Sequence, residues 1–117
     1  MTSRRDPKRL QQAVANARTD RERAVALYQL AVFHDNNGRE AIALPNYRRA
    51  ISLGLDAKTE VRALAWLASS LYKTDQSAAA LRCSQKAIAA SHCPEKLKQF
   101  LESLQRRIRR KREVKES

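Results

Sequence analysis

The chain has 117 residues, enough for one domain with one hydrophobic core. Ala, Leu, Arg, Lys, Gln and Glu dominate and only 2 Gly and 3 Pro occur, which favours helix and excludes long flexible linkers. With 24 Lys plus Arg against 12 Asp plus Glu the net charge is +12, which draws the chain toward polyanions, and no apolar stretch approaches the roughly 20 residues that span a bilayer.

Met1 to Arg5 leads into no apolar segment, so no secretory signal is expected. Cys83 and Cys93 lack the spacing of a redox or zinc pair, which points to a reducing, cytoplasmic setting. Asp6-Pro7 predicts the first helix start, with Asp as cap and Pro in the first turn. Leu10, Ala13, Val14 and Ala17 then form one apolar stripe. Thr19-Asp20-Arg21-Glu22 has the form of a capping box and predicts a second helix. Leu27, Leu30, Ala31 and His34 share a face of that helix, and Asn36-Asn37-Gly38 predicts its end.

A third helix is expected from about Arg39, with Ala43, Tyr47, Ala50 and Ile51 inward. Pro45 predicts a late start or a bend in it, and Gly54-Leu55 its cap. Asp56 or Thr59 caps a fourth helix through Leu64, Leu67, Ala68 and Leu71, and Thr74-Asp75 marks the next turn. The fifth helix holds Ala80, Ala87 and Ile88 and breaks at Ser91-His92-Cys93-Pro94. Leu97, Phe100, Leu101, Leu104 and Ile108 give the sixth a continuous apolar stripe, followed by a tail expected to fray from Glu113.

A shift of 37 residues lays the second and third helices on the fourth and fifth. Leu27 falls on Leu64, Leu30 on Leu67, Ala31 on Ala68, Ala43 on Ala80, Ala50 on Ala87 and Ile51 on Ile88. Ala31 with Ala43, and Ala68 with Ala80, are small residues that let two helix axes approach to about 8–10 Å. The first copy reads Leu27, Leu30-Ala31, His34, Ala43, Tyr47; the second reads Leu64, Leu67-Ala68, Leu71, Ala80, Ser84.

This pattern resembles the tetratricopeptide-repeat (TPR) family, with leucine in place of the usual Trp, Ser84 in place of an aromatic and no terminal Pro. Leu27 to Gly38 and Ala63 to Thr74 are also similar to small bacterial TPR proteins. The resemblance implies an all-α fold: two TPR helix-turn-helix repeats stacked as a short right-handed α-solenoid between capping helices. One domain over residues 1–117 is expected, with an N-terminal capping helix at 6–18, repeats at 20–55 and 57–92, a C-terminal capping helix at 94–112 and a tail at 113–117. The last helix occupies the place of a third repeat's first helix, and its outer face of Gln105, Arg106 and Arg109 would shield the end of the array.

The resemblance further implies a non-catalytic adaptor, binding a peptide or helix of another protein in a concave groove. Tyr28, Val32, Asp35 and Asn36, then Arg62, Trp66, Ser69, Tyr72 and Lys73, are the groove residues it points to. Two plainer readings stand beside it: Tyr28 and Val32 pack on the first helix, and Trp66 packs between repeats. Some TPR domains clamp a C-terminal carboxylate with a Lys and an Asn; Tyr28 and Val32 hold those places here and supply no such donors. With only two repeats, homo-oligomers are a further expectation.

The second candidate site is the basic run Arg106, Arg107, Arg109, Arg110, Lys111 and Arg112, six cations in seven residues, which Arg4, Arg5, Lys8 and Arg9 could extend. Such a run suits nucleic acid (RNA) or another polyanion, and equally suits a solvated helix end. No enzyme chemistry is expected: His34-Asp35 has no nucleophile placed beside it, and no phosphate-binding loop occurs. No cofactor and no metal is expected either, since Cys83, His92 and Cys93 lack the spacing of zinc ligands.

Overall fold

The computed structural model describes residues 6–116, with side chains through Glu113. Six helices and no strand occur among the described residues. They form two compact units, one ending at Asp56 and the other beginning at Ala57.

The first unit holds α1 (Pro7–Asn16), α2 (Asp20–Asn36) and α3 (Glu40–Leu53). The Asp6 carboxylate accepts the Lys8 amide at 3.0 Å, and Pro7 follows in the first turn, where its missing N–H costs nothing. Thr19 Oγ1 accepts the Glu22 amide at 3.1 Å and so caps α2. The Glu22 carboxylate reaches back to the Arg18 amide at 2.8 Å, one residue before the partner that the capping-box pattern predicts. Arg23 donates from Nη2 to the Ala17 carbonyl at 2.8 Å and ties the end of α1 to α2. Ala24, Leu27, Leu30 and Ala31 of α2 are buried, as are Ala43, Leu44, Tyr47 and Ala50 of the helix packed against it, α3. By contrast, α1 buries no residue fully, although Leu10 and Val14 are half-buried.

The second unit holds α4 (Ala57–Lys73), α5 (Ser77–Ala89) and α6 (Glu95–Glu116). Val61, Leu64, Leu67, Ala68 and Leu71 of α4 are buried, with Ala80 and Ala87 of α5. Leu101, Leu104 and Ile108 of α6 close this core and are fully buried or nearly so.

The 37-residue shift is a shift of backbone as well as of residue type. It carries the bounds of α2 onto those of α4 and the start of α3 onto the start of α5. Gly38, with φ 73°, falls on Asp75, with φ 64°. The Arg39 amide donates to the His34 carbonyl at 2.9 Å, and the Gln76 amide to the Leu71 carbonyl at 2.8 Å, so both turns close with the same bond. Arg39 and Gln76 begin the next helices with almost the same dihedrals, φ −107° with ψ 59° and φ −107° with ψ 63°. Glycine meets the left-handed requirement in one copy, and aspartate, among the few side chains that tolerate it, in the other.

Several expectations are corrected. The third helix does not start late at Pro45: it runs from Glu40 with the proline inside it. Pro45 and Ala41 are both exposed, so water can take the carbonyl that the proline cannot serve. The sixth helix continues to Glu116, beyond the Glu113 at which the tail is expected to begin; Ser117 lies outside the described residues. Gln105 is not part of a shielding outer face. It turns inward and donates from Nε2 to Ser84 Oγ at 3.0 Å, while the Ser84 hydroxyl donates to the Leu81 carbonyl at 2.8 Å. Where Tyr47 fills the first unit, the second has only this small serine, and a side chain from α6 occupies the room left over.

Candidate interaction surface

In the second unit a furrow opens between α4 and α6. Arg62, Ala65 and Trp66 are three and four residues apart and share one face of α4. Lys96, Leu97 and Phe100 do the same on α6, just after the chain enters that helix through Pro94 and Glu95. Together these residues line a cavity of about 580 Å³. Ala65 is buried and forms a low floor, Leu97 is half-buried, and the two aromatic side chains stand as walls. Trp66 is 41% exposed and Phe100 40% exposed, which is unusual for side chains of that apolar area. Arg62, Glu95 and Lys96 supply the charge at the mouth.

Toward the C-terminal end of α4 the two helices are fastened together. The Arg107 guanidinium carbon lies 5.8 Å from the centre of the Tyr72 ring, and Lys111 Nζ 5.0 Å from it. Lys111 also pairs with Asp75 at 2.8 Å, a bond that raises the lysine's pKa above its ordinary value. Tyr72, expected in an open groove, is therefore half-buried beneath two cations of the basic run. Ser69 is half-buried and Lys73 exposed. Of the run itself, Arg106, Arg107, Arg109, Arg110 and Arg112 are exposed and Lys111 is half-buried; Arg107 and Lys111 are drawn to Tyr72. Lys8 and Arg9 are exposed on α1; Arg4 and Arg5 lie outside the described residues.

In the first unit, Tyr28 and Val32 are half-buried and Asn36 is exposed. The Tyr28 ring sits 6.3 Å from that of Tyr47, tilted by 54°, so it leans on α3. Asp35 is corrected: it is no groove residue. It is buried, and its carboxylate accepts the Tyr47 hydroxyl at 2.8 Å. Burial, then the bond to Asp35, push the Tyr47 phenol far above its usual range. Its tertiary partner is a tyrosine twelve residues on, which helical spacing along α2 cannot reveal.

His34 is half-buried rather than deep in the core. It accepts from Arg39 Nε at 3.1 Å through Nδ1, and its ring meets Phe33 edge-on at 5.4 Å. Desolvation and then the Arg39 charge lower its pKa, so it is held neutral. Among the described residues no three His, Cys, Asp or Glu side chains group as metal ligands. Burial raises the Cys93 thiol, which keeps it protonated and slow as a nucleophile.

Phe100 is the site residue that sequence reasoning misplaced. It was expected in the buried stripe, but Leu101, Leu104 and Ile108 set the rotation of α6 and leave Phe100 at the edge. At i+3 from Leu97 and i−4 from Leu104 it fits the stripe as well as Leu101 does, so spacing along the helix gave no signal.

Among the described residues no helix is long and apolar enough to cross a membrane. The family model for the tetratrico peptide repeat matches residues 24–112. That stretch includes both copies of the 37-residue pattern and most of α6. Neither the curated proteins nor the solved structures provide a match to the chain.

Proposed function

This chain belongs to the tetratricopeptide-repeat family, and we propose that it is a protein-binding module whose contact surface is the α4–α6 furrow. The family generally serves as a non-catalytic scaffold for protein–protein interaction. Within that reading α2–α3 and α4–α5 are the two repeats, α1 and α6 are the caps, and the setting is cytoplasmic, as is common for the family. The observation that carries the site is the pair Trp66 and Phe100, two large side chains left exposed across one concave apolar surface. Aromatic side chains in such pockets tend to dominate binding energy. Trp66→Ala or Phe100→Ala should therefore weaken capture of a partner from the source cell's lysate by about 30-fold, the size of a typical anchor loss. Capture that both variants leave untouched would move the site elsewhere.

A second reading has its own observation: Arg106, Arg109, Arg110 and Arg112 are exposed along α6. If they neutralise phosphates, replacing Arg106, Arg109 and Arg110 with Gln should lower the salt slope of RNA binding by about one per lost contact.

A further inference from the structure

We propose that the α4–α6 furrow is also a small-molecule site, and that its ligand is a zwitterion with an aromatic body, of the amino-acid class. The furrow is short. Its lining covers Arg62 to Trp66 on α4 and Pro94 to Phe100 on α6, about 6 Å and about 9 Å along the helix axes. Beyond Trp66 and Phe100 the two helices close over Tyr72, where Arg107 and Lys111 lie against the ring and Asp75 holds Lys111. A cavity of about 580 Å³ bounded in this way has the size of a small-molecule site rather than the length that a laid-in polypeptide needs.

The walls select the body. A flat ring set between Trp66 and Phe100, over the Ala65 floor, buries apolar surface on all three. The mouth selects the charge. Arg62 stands there on α4, and Glu95 and Lys96 on α6. Among the described residues no ion pair within 4 Å takes up any of these three, and the Glu95 carboxylate accepts a long bond from Gln99 Nε2 at 3.5 Å. An uncharged ligand would cover these groups without pairing them, at a cost in desolvation. A net anion meets the Glu95 carboxylate, and a net cation meets Arg62 and Lys96. A zwitterion answers both signs: its carboxylate pairs with Arg62 or Lys96, and its ammonium with Glu95. A ligand seated here also masks Trp66 and Phe100, and so regulates contact with a protein partner; that last step alone rests on the furrow being the contact surface.

Trp66 is the chain's only tryptophan, so its emission reports on the furrow directly. The probe is 4-phenylphenylalanine, titrated into the purified full chain at about pH 6, where a free α-amine is charged. Beside it run its amide, its N-acetyl derivative and its N-acetyl amide, which keep the same body and carry one positive charge, one negative charge and none. The zwitterion should shift Trp66 emission to the blue and bind about tenfold tighter than each of the other three, the size of one charge-assisted bond. Glu95→Gln should erase its advantage over the N-acetyl derivative, and Arg62→Gln with Lys96→Gln its advantage over the amide. All three positions are exposed, so the circular dichroism should stay unchanged. Equal binding of the four compounds would overturn the zwitterion, as would an advantage that survives both sets of substitutions. No emission response to any of them would overturn the small-molecule site and leave the protein contact standing on lysate capture, which is measured without the probe. An emission shift with lysate capture untouched by the zwitterion would overturn the regulation alone.

Discussion

Lys111 lies over the Tyr72 ring, 5.0 Å from its centre, and pairs with Asp75 three residues further along the chain from that tyrosine. One lysine of the basic run thus pins the distal part of α6 to the end of α4, with Arg107 beside it. Tyr72→Leu should keep the apolar area and lose both cation–π contacts. Amide exchange over residues 105–112 should then quicken several-fold, while the amides of α5 stay protected. The raised lysine pKa gives the sign with pH: the contact is complete below the ordinary lysine value of about 10.4 and fades above it. Unchanged exchange in α6 would mean that Leu101, Leu104 and Ile108 alone hold the helix.

The turn that follows each repeat's first helix needs a left-handed residue. Gly38 has nothing within 4 Å of where a Cβ would sit, so a side chain there meets only backbone strain. Gly38→Ala should cost about 1–2 kcal/mol in thermal unfolding. Gly38→Asp, borrowing the residue that the second unit uses, should cost less than alanine. The reverse order would show that the two turns are not equivalent.

Tyr47 is fully buried and its hydroxyl donates to a buried carboxylate. Tyr47→Phe removes that donor and should destabilise the first unit by about 1–3 kcal/mol. The phenol is raised, so the folded state keeps the proton that the unfolded chain gives up. Stability is therefore whole below about pH 10 and falls as pH rises past the unfolded tyrosine's pKa. Urea titrations at pH 8 and above about pH 10 should separate the wild type from Tyr47→Phe, whose alkaline loss should be shallower.

His34 has the opposite sign. Its pKa is lowered, first by desolvation and then by Arg39, so the unfolded state binds the proton more readily. Its contribution is present above the unfolded value of about 6.5 and is lost as pH falls below it. His34→Leu, the residue found 37 positions on at Leu71, should flatten the stability profile between about pH 7 and 5. A slope that the variant retains would have to come from other groups.

The turns were legible because their chemistry is local. Asp6-Pro7, Thr19 with Glu22, Gly38 and Thr74-Asp75 act within a few residues of themselves, and each lies at or beside a helix end. The 37-residue period was legible because equal helix lengths repeat the apolar face as well as the turn. That α3 starts before Pro45 was not legible, because the cost of a proline inside a helix depends on whether the orphaned carbonyl meets water, which depends on what packs nearby.

By itself the sequence determined an all-helical chain, the place of its turns and a family resemblance. Those follow from caps, backbone φ and the 3.6-residue period. Tertiary structure alone decided that Asp35 turns to Tyr47, that Gln105 turns in to Ser84, that Tyr72 lies beneath Arg107 and Lys111, and that Phe100 faces Trp66 across a furrow. These pairs lie 12 to 39 residues apart, and each involves a side chain near the edge of a helical stripe. At such an edge, spacing along one helix leaves inward and outward almost equal, and the neighbouring helix makes the choice.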